Sequence, residues 1–173
     1  YNFFIMNLTT LYDLLHQSVN KYGDKTVFSM LGSEDVSYNE AARRVKAVQD
    51  LLLGAGLNVG DKVALLSSSM PNWGLCYLAV VTAGMVVVPI MPDFTGAEVD
   101  MLIKHSESKA FLVSDKLFSK VSKETIATLN IVIRTKNLSV ISQPVTGVGS
   151  SAIPKPEDLA VIIYTSGTTS RRK

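Results

Sequence analysis

The chain has 173 residues, 47% of them apolar and 18% charged, which is enough for one well-buried domain and excludes global disorder. Its net charge of +2 arises at one end: Arg171, Arg172 and Lys173 are three of the 17 basic residues, and without them 14 face 15 acidic ones. A neutral body excludes a broad basic surface, so no nucleic-acid partner is expected.

The opening Tyr1-Asn2-Phe3-Phe4 carries no basic leader and does not begin with methionine, so the expectation is a trimmed or replaced N-terminus without a signal peptide. Thr10 and Asp13 form a capping pair ahead of Leu11, Leu14, Leu15 and Val19, which share a face, so a helix is predicted over about 10–22. Residues 26–30 and 36–38 read as a small hairpin around Leu31-Gly32-Ser33. Ser37 and Glu40 then supply an S-x-x-E box for a stronger helix lined by Ala41, Val45, Val48 and Leu52 and ended by Gly54 and Gly56. Arg43, Arg44 and Lys46 lie mostly off that stripe and read as a solvated face.

Elements alternate from there: strand 62–66, helix 71–83, strand 85–90, helix 96–105, strand 110–113, a helix after Asp115 and strand 131–133. Thr95 and Glu98 cap the second of these helices, whose Val99, Leu102 and Ile103 turn inward. From Ser67 to Pro92 no residue is charged, a length that would span a bilayer, but Ser67-Ser68-Ser69, Pro71-Asn72, Gly84 and Pro89 interrupt it. A buried helix followed by a buried strand explains those interruptions, and no transmembrane segment is expected. Apolar strands between amphipathic helices argue an α/β fold, a mainly parallel sheet with helices on both faces.

The single cysteine, Cys76, lies in an apolar run and reads as a buried structural thiol, which fits a reducing, cytoplasmic setting. His105 near a helix end reads as a favourable partner of the helix dipole, His16 stands beside no obvious partner, and Trp73 reads as packing.

Residues 136–158 are rich in Ser, Gly and Pro without periodicity and read as a linker or exposed loop. Beyond them an apolar run, Leu159 to Tyr164, enters Thr165-Ser166-Gly167-Thr168-Thr169-Ser170-Arg171-Arg172-Lys173. Taken alone this is a hydroxyl-rich, basic tail of the kind that is often merely solvated. Set at the end of a strand, its backbone N–H groups, hydroxyls and cations are also what a polyphosphate needs. It is not a Walker A loop: no second glycine follows Gly167, and no Ser or Thr follows the lysine.

The run Tyr164-Thr165-Ser166-Gly167-Thr168-Thr169 resembles the phosphate-loop signature of the acyl-adenylate-forming superfamily, which includes AMP-forming acyl-CoA synthetases and has the usual form YTSGTTG-x-P-K-G. Upstream segments are similar in order: Val36-Ser37-Tyr38-Asn39-Glu40, the stretch 67–92 with Asn72-Trp73 and Ala83-Gly84-Met85-Val86-Val87-Val88-Pro89, Leu102-Ile103-Lys104-His105-Ser106, and Ala110-Phe111-Leu112-Val113. Two positions depart: Ser170 stands where the family usually has glycine, and Arg172 where it often has proline.

The resemblance implies the N-terminal subdomain of an enzyme that activates a carboxylic acid with ATP and Mg²⁺ as an acyl-adenylate and passes it to coenzyme A. An aliphatic acid of the fatty-acid type is the first choice. It implies that Thr165, Ser166, Gly167, Thr168 and Thr169 hold the ATP phosphates and that Lys173 neutralises the pyrophosphate, with Arg171 or Arg172 assisting. The family's catalytic lysine, ribose-binding aspartate and metal carboxylate come after this loop, so no catalytic or metal-binding residue is assigned here. The expected division is 1–135 for the N-terminal subdomain, 136–158 for the linker, and 159–173 for a strand plus a phosphate loop, truncated. Such a fragment is expected to be inactive alone and to self-associate through faces left exposed. Two rival readings stand beside it: an aryl- or amino-acid-activating enzyme, including one that transfers to a carrier protein, and a non-catalytic binding module derived from the same enzymes.

Overall fold

The computed structural model describes residues 9–32, 35–142 and 146–165. Chain order is α1 (Leu11–Tyr22), β1 (Thr26–Phe28), β2 (Val36–Ser37), α2 (Tyr38–Gly54), β3 (Lys62–Leu66), α3 (Pro71–Thr82), β4 (Val86–Pro89), α4 (Gly96–His105), β5 (Ser108–Val113), a 3₁₀ turn (Phe118–Lys120), α5 (Lys123–Ala127) and β6 (Ile131–Arg134).

The helix starts are set by the residues that the spacing picks out. Thr10 and Asp13 form a reciprocal capping box on α1, Thr95 and Glu98 do the same on α4, and the Ser37 hydroxyl accepts from the Glu40 amide on α2. Because Ser37 already serves α2 as its cap, the small antiparallel pair β1–β2 ends there rather than at Tyr38; Ser33 of its turn lies outside the described residues. The helix expected after Asp115 is reduced to a 3₁₀ turn and the five-residue α5, which Ser122 caps.

The main sheet is parallel, in the order β4-β3-β5-β6. Its strands are apolar on both sides, and the period of two divides them between two cores. Val63, Leu65, Ala110, Leu112, Ile131 and Ile133 face α2 and α3, with Leu15 of α1 packed on the margin. Ala64, Leu66, Phe111, Val113 and Val132 face α4 and its neighbours through Val99, Leu102, Ile103, Val121 and Leu129. The chain leaves β3 for β4 over one face, then returns past β3 to β5 over the other. This is therefore an α/β fold with helices on both faces, and the winding reverses between β3 and β5.

After β6 the chain folds back: Arg134 N donates to Ser139 O, Val140 bridges Ile133 antiparallel, and Ile141 N donates to Val132 O. The described part of the following irregular segment is bonded along the ends of α2 and α3. Gly147 N donates to Gly54 O, Gly149 N to Leu53 O, Ser150 N to Leu57 O and Ala152 N to Ala83 O. Gly84, at φ 79°, makes the turn from α3 into β4 beneath this segment, where a Cβ would lie 3.1 Å from Ala152 O.

The segment then reaches the outer edge of β4. There the apolar run forms one parallel bridge, Val161 to Val87, with Val87 N donating to Ala160 O and Ile162 N to Val87 O. A longer ladder is blocked by the strand it joins. The amides of Val86 and Ile90 point the other way, toward Asp61 O and Leu65 O, so the next donor facing this edge belongs to residue 89. Residue 89 is Pro89, which has no N–H. No helix among the described residues is long and apolar enough to cross a membrane.

Candidate functional site

Parallel strands deliver their carboxyl ends to one edge of the sheet, and in this fold that edge is where hydroxyls follow the apolar runs. Ser67 follows β3, Ser114 follows β5 and Thr135 follows β6, and all three are buried. Ser67 Oγ and Thr135 Oγ1 lie 3.0 Å apart. Asn72, near the start of α3, donates its amide to Thr135 O at 2.7 Å and to Lys136 O at 2.9 Å. Its own carbonyl accepts from Arg44 of α2, which is also paired with Glu40 at 2.6 Å. Glu40 accepts from Arg43 as well, and the two guanidinium groups, Arg43 first, hold its carboxyl down at about 2. Ser114 sits beside the point where the winding reverses; its backbone N–H donates to Leu66 O, and its hydroxyl has no partner among the described residues.

The apolar run that carries the phosphate-loop signature leaves the sheet in the same direction, because Val161 pairs parallel to β4. Tyr164 is half-buried and packs against the cluster that contains Ile90, Val99, Leu102 and Ile103. Its hydroxyl meets Nδ1 of His105, the last residue of α4, at 2.7 Å, with the rings edge-on and their centroids 5.6 Å apart. Thr165 follows, exposed. Of the expected phosphate ligands only Thr165 is placed; Ser166, Gly167, Thr168, Thr169 and Lys173, with Arg171 and Arg172, lie outside the described residues.

The remaining polar candidates are structural. Cys76 is fully buried, and burial pushes its thiol up to about 12, far from a nucleophile's range. Trp73 stacks on Tyr77 with ring centroids 5.5 Å apart and packs on the core. His16 lies against Tyr12, at 4.1 Å between centroids. Among the described residues no group of three or more His, Cys, Asp or Glu stands close enough to hold a metal ion.

Two features escape sequence reasoning. The Ser67–Asn72–Thr135 network joins residues 63 to 68 positions apart, and only the serine run after an apolar strand hints at it. The His105–Tyr164 contact spans 59 residues, and only the placement of an aromatic at the end of the final apolar run hints at that.

A family model described as AMP-binding enzyme matches residues 15–173. The chain belongs to the AMP-binding enzymes. Among these adenylate-forming enzymes it is 28% identical over 179 residues to oxalate–CoA ligase of Arabidopsis thaliana, covering 97% of this chain and 35% of that protein. It is 26% identical over 168 residues to tyrocidine synthase 3 of Brevibacillus parabrevis, covering 95% of this chain but 2% of that one. An anthranilate CoA ligase crystallised with anthranoyl-AMP shares the fold with a TM-score of 0.78 at 18% identity, over 92% of this chain and 32% of its own. The chain thus spans about a third or less of the length of these relatives.

Proposed function

We propose that this chain is the N-terminal, phosphate-gripping portion of an enzyme that activates a carboxylic acid with ATP, and that Thr165, Ser166, Gly167, Thr168, Thr169 and Lys173 hold the triphosphate. The observation that carries the reading is the placement of Tyr164-Thr165 at the end of a run parallel to β4, with the family match extending through the signature to Lys173. In this reading residues 1–135 are the subdomain body, 136–158 connect, and 159–173 deliver the loop.

The chemistry follows from what such a loop offers. A carboxylate oxygen attacks the α-phosphorus, the bond from that phosphorus to the bridging oxygen breaks, and pyrophosphate leaves as the acyl-adenylate forms. Negative charge grows on the leaving phosphates, and the backbone N–H groups, hydroxyls and Lys173 ammonium that such a loop offers would stabilise it. A thiol then attacks the acyl carbon and expels AMP. The described residues offer no carboxylate set for Mg²⁺, so no step is assigned to a protein-held metal. In this reading the thiol is coenzyme A and the substrate an aliphatic acid. Likeness to an oxalate–CoA ligase and an anthranilate CoA ligase supports the thiol more than it supports the aliphatic acid. The buried lone thiol of Cys76 keeps a cytoplasmic setting as part of the reading.

A second reading is favoured by the likeness to tyrocidine synthase 3: an adenylating unit that transfers its acyl group to a carrier protein. The phosphate loop would serve both.

Calorimetric titration of the chain with ATP and magnesium tests the shared part. The expected results are saturable binding, a loss of at least about tenfold in affinity in Lys173→Ala, and a gain of about fivefold in Ser170→Gly, which restores the glycine usual in the signature and its wider backbone freedom. Binding indifferent to Lys173→Ala would remove the basis of the assignment.

A further inference from the structure

We infer that His105 is a positioning residue for the phosphate loop: its contact with the Tyr164 hydroxyl fixes the point from which the loop departs. The inference rests on the phosphate-binding reading of 165–173 and adds a residue to it from a different element of the fold.

Three observations carry it. First, the run that delivers the loop is held to the sheet weakly. Its ladder is the pair of hydrogen bonds on either side of Val87, and Pro89 supplies no donor beyond them. Ile163 is 68% exposed and Thr165 is exposed, so Tyr164 is the last attached residue before the loop within the described chain. Second, Tyr164 is attached twice, by ring packing on the α4 side of the sheet and by the 2.7 Å contact of its hydroxyl with His105 Nδ1. With the imidazole hydrogen on Nε2, the tyrosine O–H donates to Nδ1. Third, the anchor itself is rigid. Val99, Leu102 and Ile103 of α4 are buried, its first turn carries the Thr95–Glu98 box, and Asp100 accepts from the Ser122 amide at 3.1 Å. Lys120 Nζ donates to Pro92 O and Phe94 O just ahead of α4.

Reach shows why the contact matters. Thr165 lies three positions beyond Ile162, the last residue in the ladder, and an extended chain of that length sweeps roughly 10 Å. A phosphate cradle must be held to about 0.5 Å. Packing of the Tyr164 ring limits the sweep, and the bond to His105 fixes the position of the hydroxyl end of the ring and so the direction in which the side chain points. Preorganising the departure point lowers the ordering cost that the ligand would otherwise meet on binding.

The test uses inorganic tripolyphosphate with the 173-residue chain, read by calorimetry and by imidazole ¹⁵N resonances. Tyr164→Phe keeps the ring and removes only the hydroxyl; His105→Ala removes the other partner and His105→Gln restores a polar one. We expect Tyr164→Phe and His105→Ala each to weaken binding by about 3–10-fold, and the double variant to be no weaker than either alone. His105→Gln should recover part of the loss, and Tyr164→Phe should move the His105 nitrogen resonances while leaving those of His16 in place. Affinity that falls in Lys173→Ala but not in His105→Ala or Tyr164→Phe overturns the positioning role and leaves the phosphate loop standing. A chain that does not bind tripolyphosphate at all overturns both.

Discussion

The Asn72 side chain donates to two successive carbonyls, Thr135 O at 2.7 Å and Lys136 O at 2.9 Å, and so joins the start of α3 to the end of β6 across the carboxyl edge of the sheet. α3 begins without a side-chain cap bond of its own, at Pro71, so this tie is what orders its entry. Removing it leaves the buried Thr135 carbonyl without that donor. Asn72→Ala is expected to cost about 2 kcal/mol of stability in urea denaturation, because both of these hydrogen bonds and the one from Arg44 are lost and a buried acceptor is stranded. Asn72→Asp should cost more, since it offers carbonyl oxygens a carboxylate instead of a donor.

Gly96 opens α4, and helix propensity alone says that alanine there should help by about 1 kcal/mol. The structure reverses that sign. A Cβ at Gly96 would lie 2.8 Å from Lys120 O, a backbone atom that the neighbouring 3₁₀ turn holds in place. Gly96→Ala is therefore expected to lower the thermal midpoint, at a cost of about 1–3 kcal/mol for the forced shift. An unchanged or raised midpoint would mean that the 3₁₀ turn yields freely.

Glu40 gives the stability a pH dependence with a definite sign. Its carboxyl is depressed from 4.5 to about 2, first by Arg43 and then by Arg44. A depressed folded-state value means the contribution is fully present above about 4.5 and is lost as pH falls through about 2. Glu40→Gln should thus melt lower than the unmodified chain at neutral pH, with the gap closing between pH 4.5 and 2. The size of the gap will be modest, because Arg43 is 70% exposed and water screens that half of the network. Asp13, first through the Thr9 hydroxyl and then through that of its cap Thr10, and Glu98, first through the backbone N–H of its cap Thr95, are also held below their ordinary values, so the difference between the two proteins is the quantity to read.

How much of this was legible in the sequence depends on whether the physics was local. The caps Thr10, Ser37 and Thr95 were readable because a capping box is complete within four residues. The parallel sheet was readable because 63–66 and 110–113 are apolar at every position, which only a strand covered on both faces requires. The final run was expected to be a full strand and forms a single bridge, because what stops it is Pro89, a residue of the strand it joins and not of its own segment. β5 begins at Ser108, two residues before its apolar run, since Glu107 in the left-handed region at φ 55° turns the chain straight from α4 into pairing with Lys62. Within the site, the signature itself was plain in the sequence. The partners that flank it were not, because His105 lies 59 residues from Tyr164 and Thr135 lies 68 from Ser67.

The central claim is that the loop after Tyr164 embraces a triphosphate, and a reactive ATP tests it most directly. An acyl-phosphate derivative of ATP transfers its acyl group to an amine held beside the terminal phosphates. Labelling is expected to concentrate on Lys173, to be suppressed by excess ATP and to be diminished in His105→Ala. Labelling spread over surface lysines such as Lys46, Lys109 and Lys155, and unaffected by ATP, would contradict it.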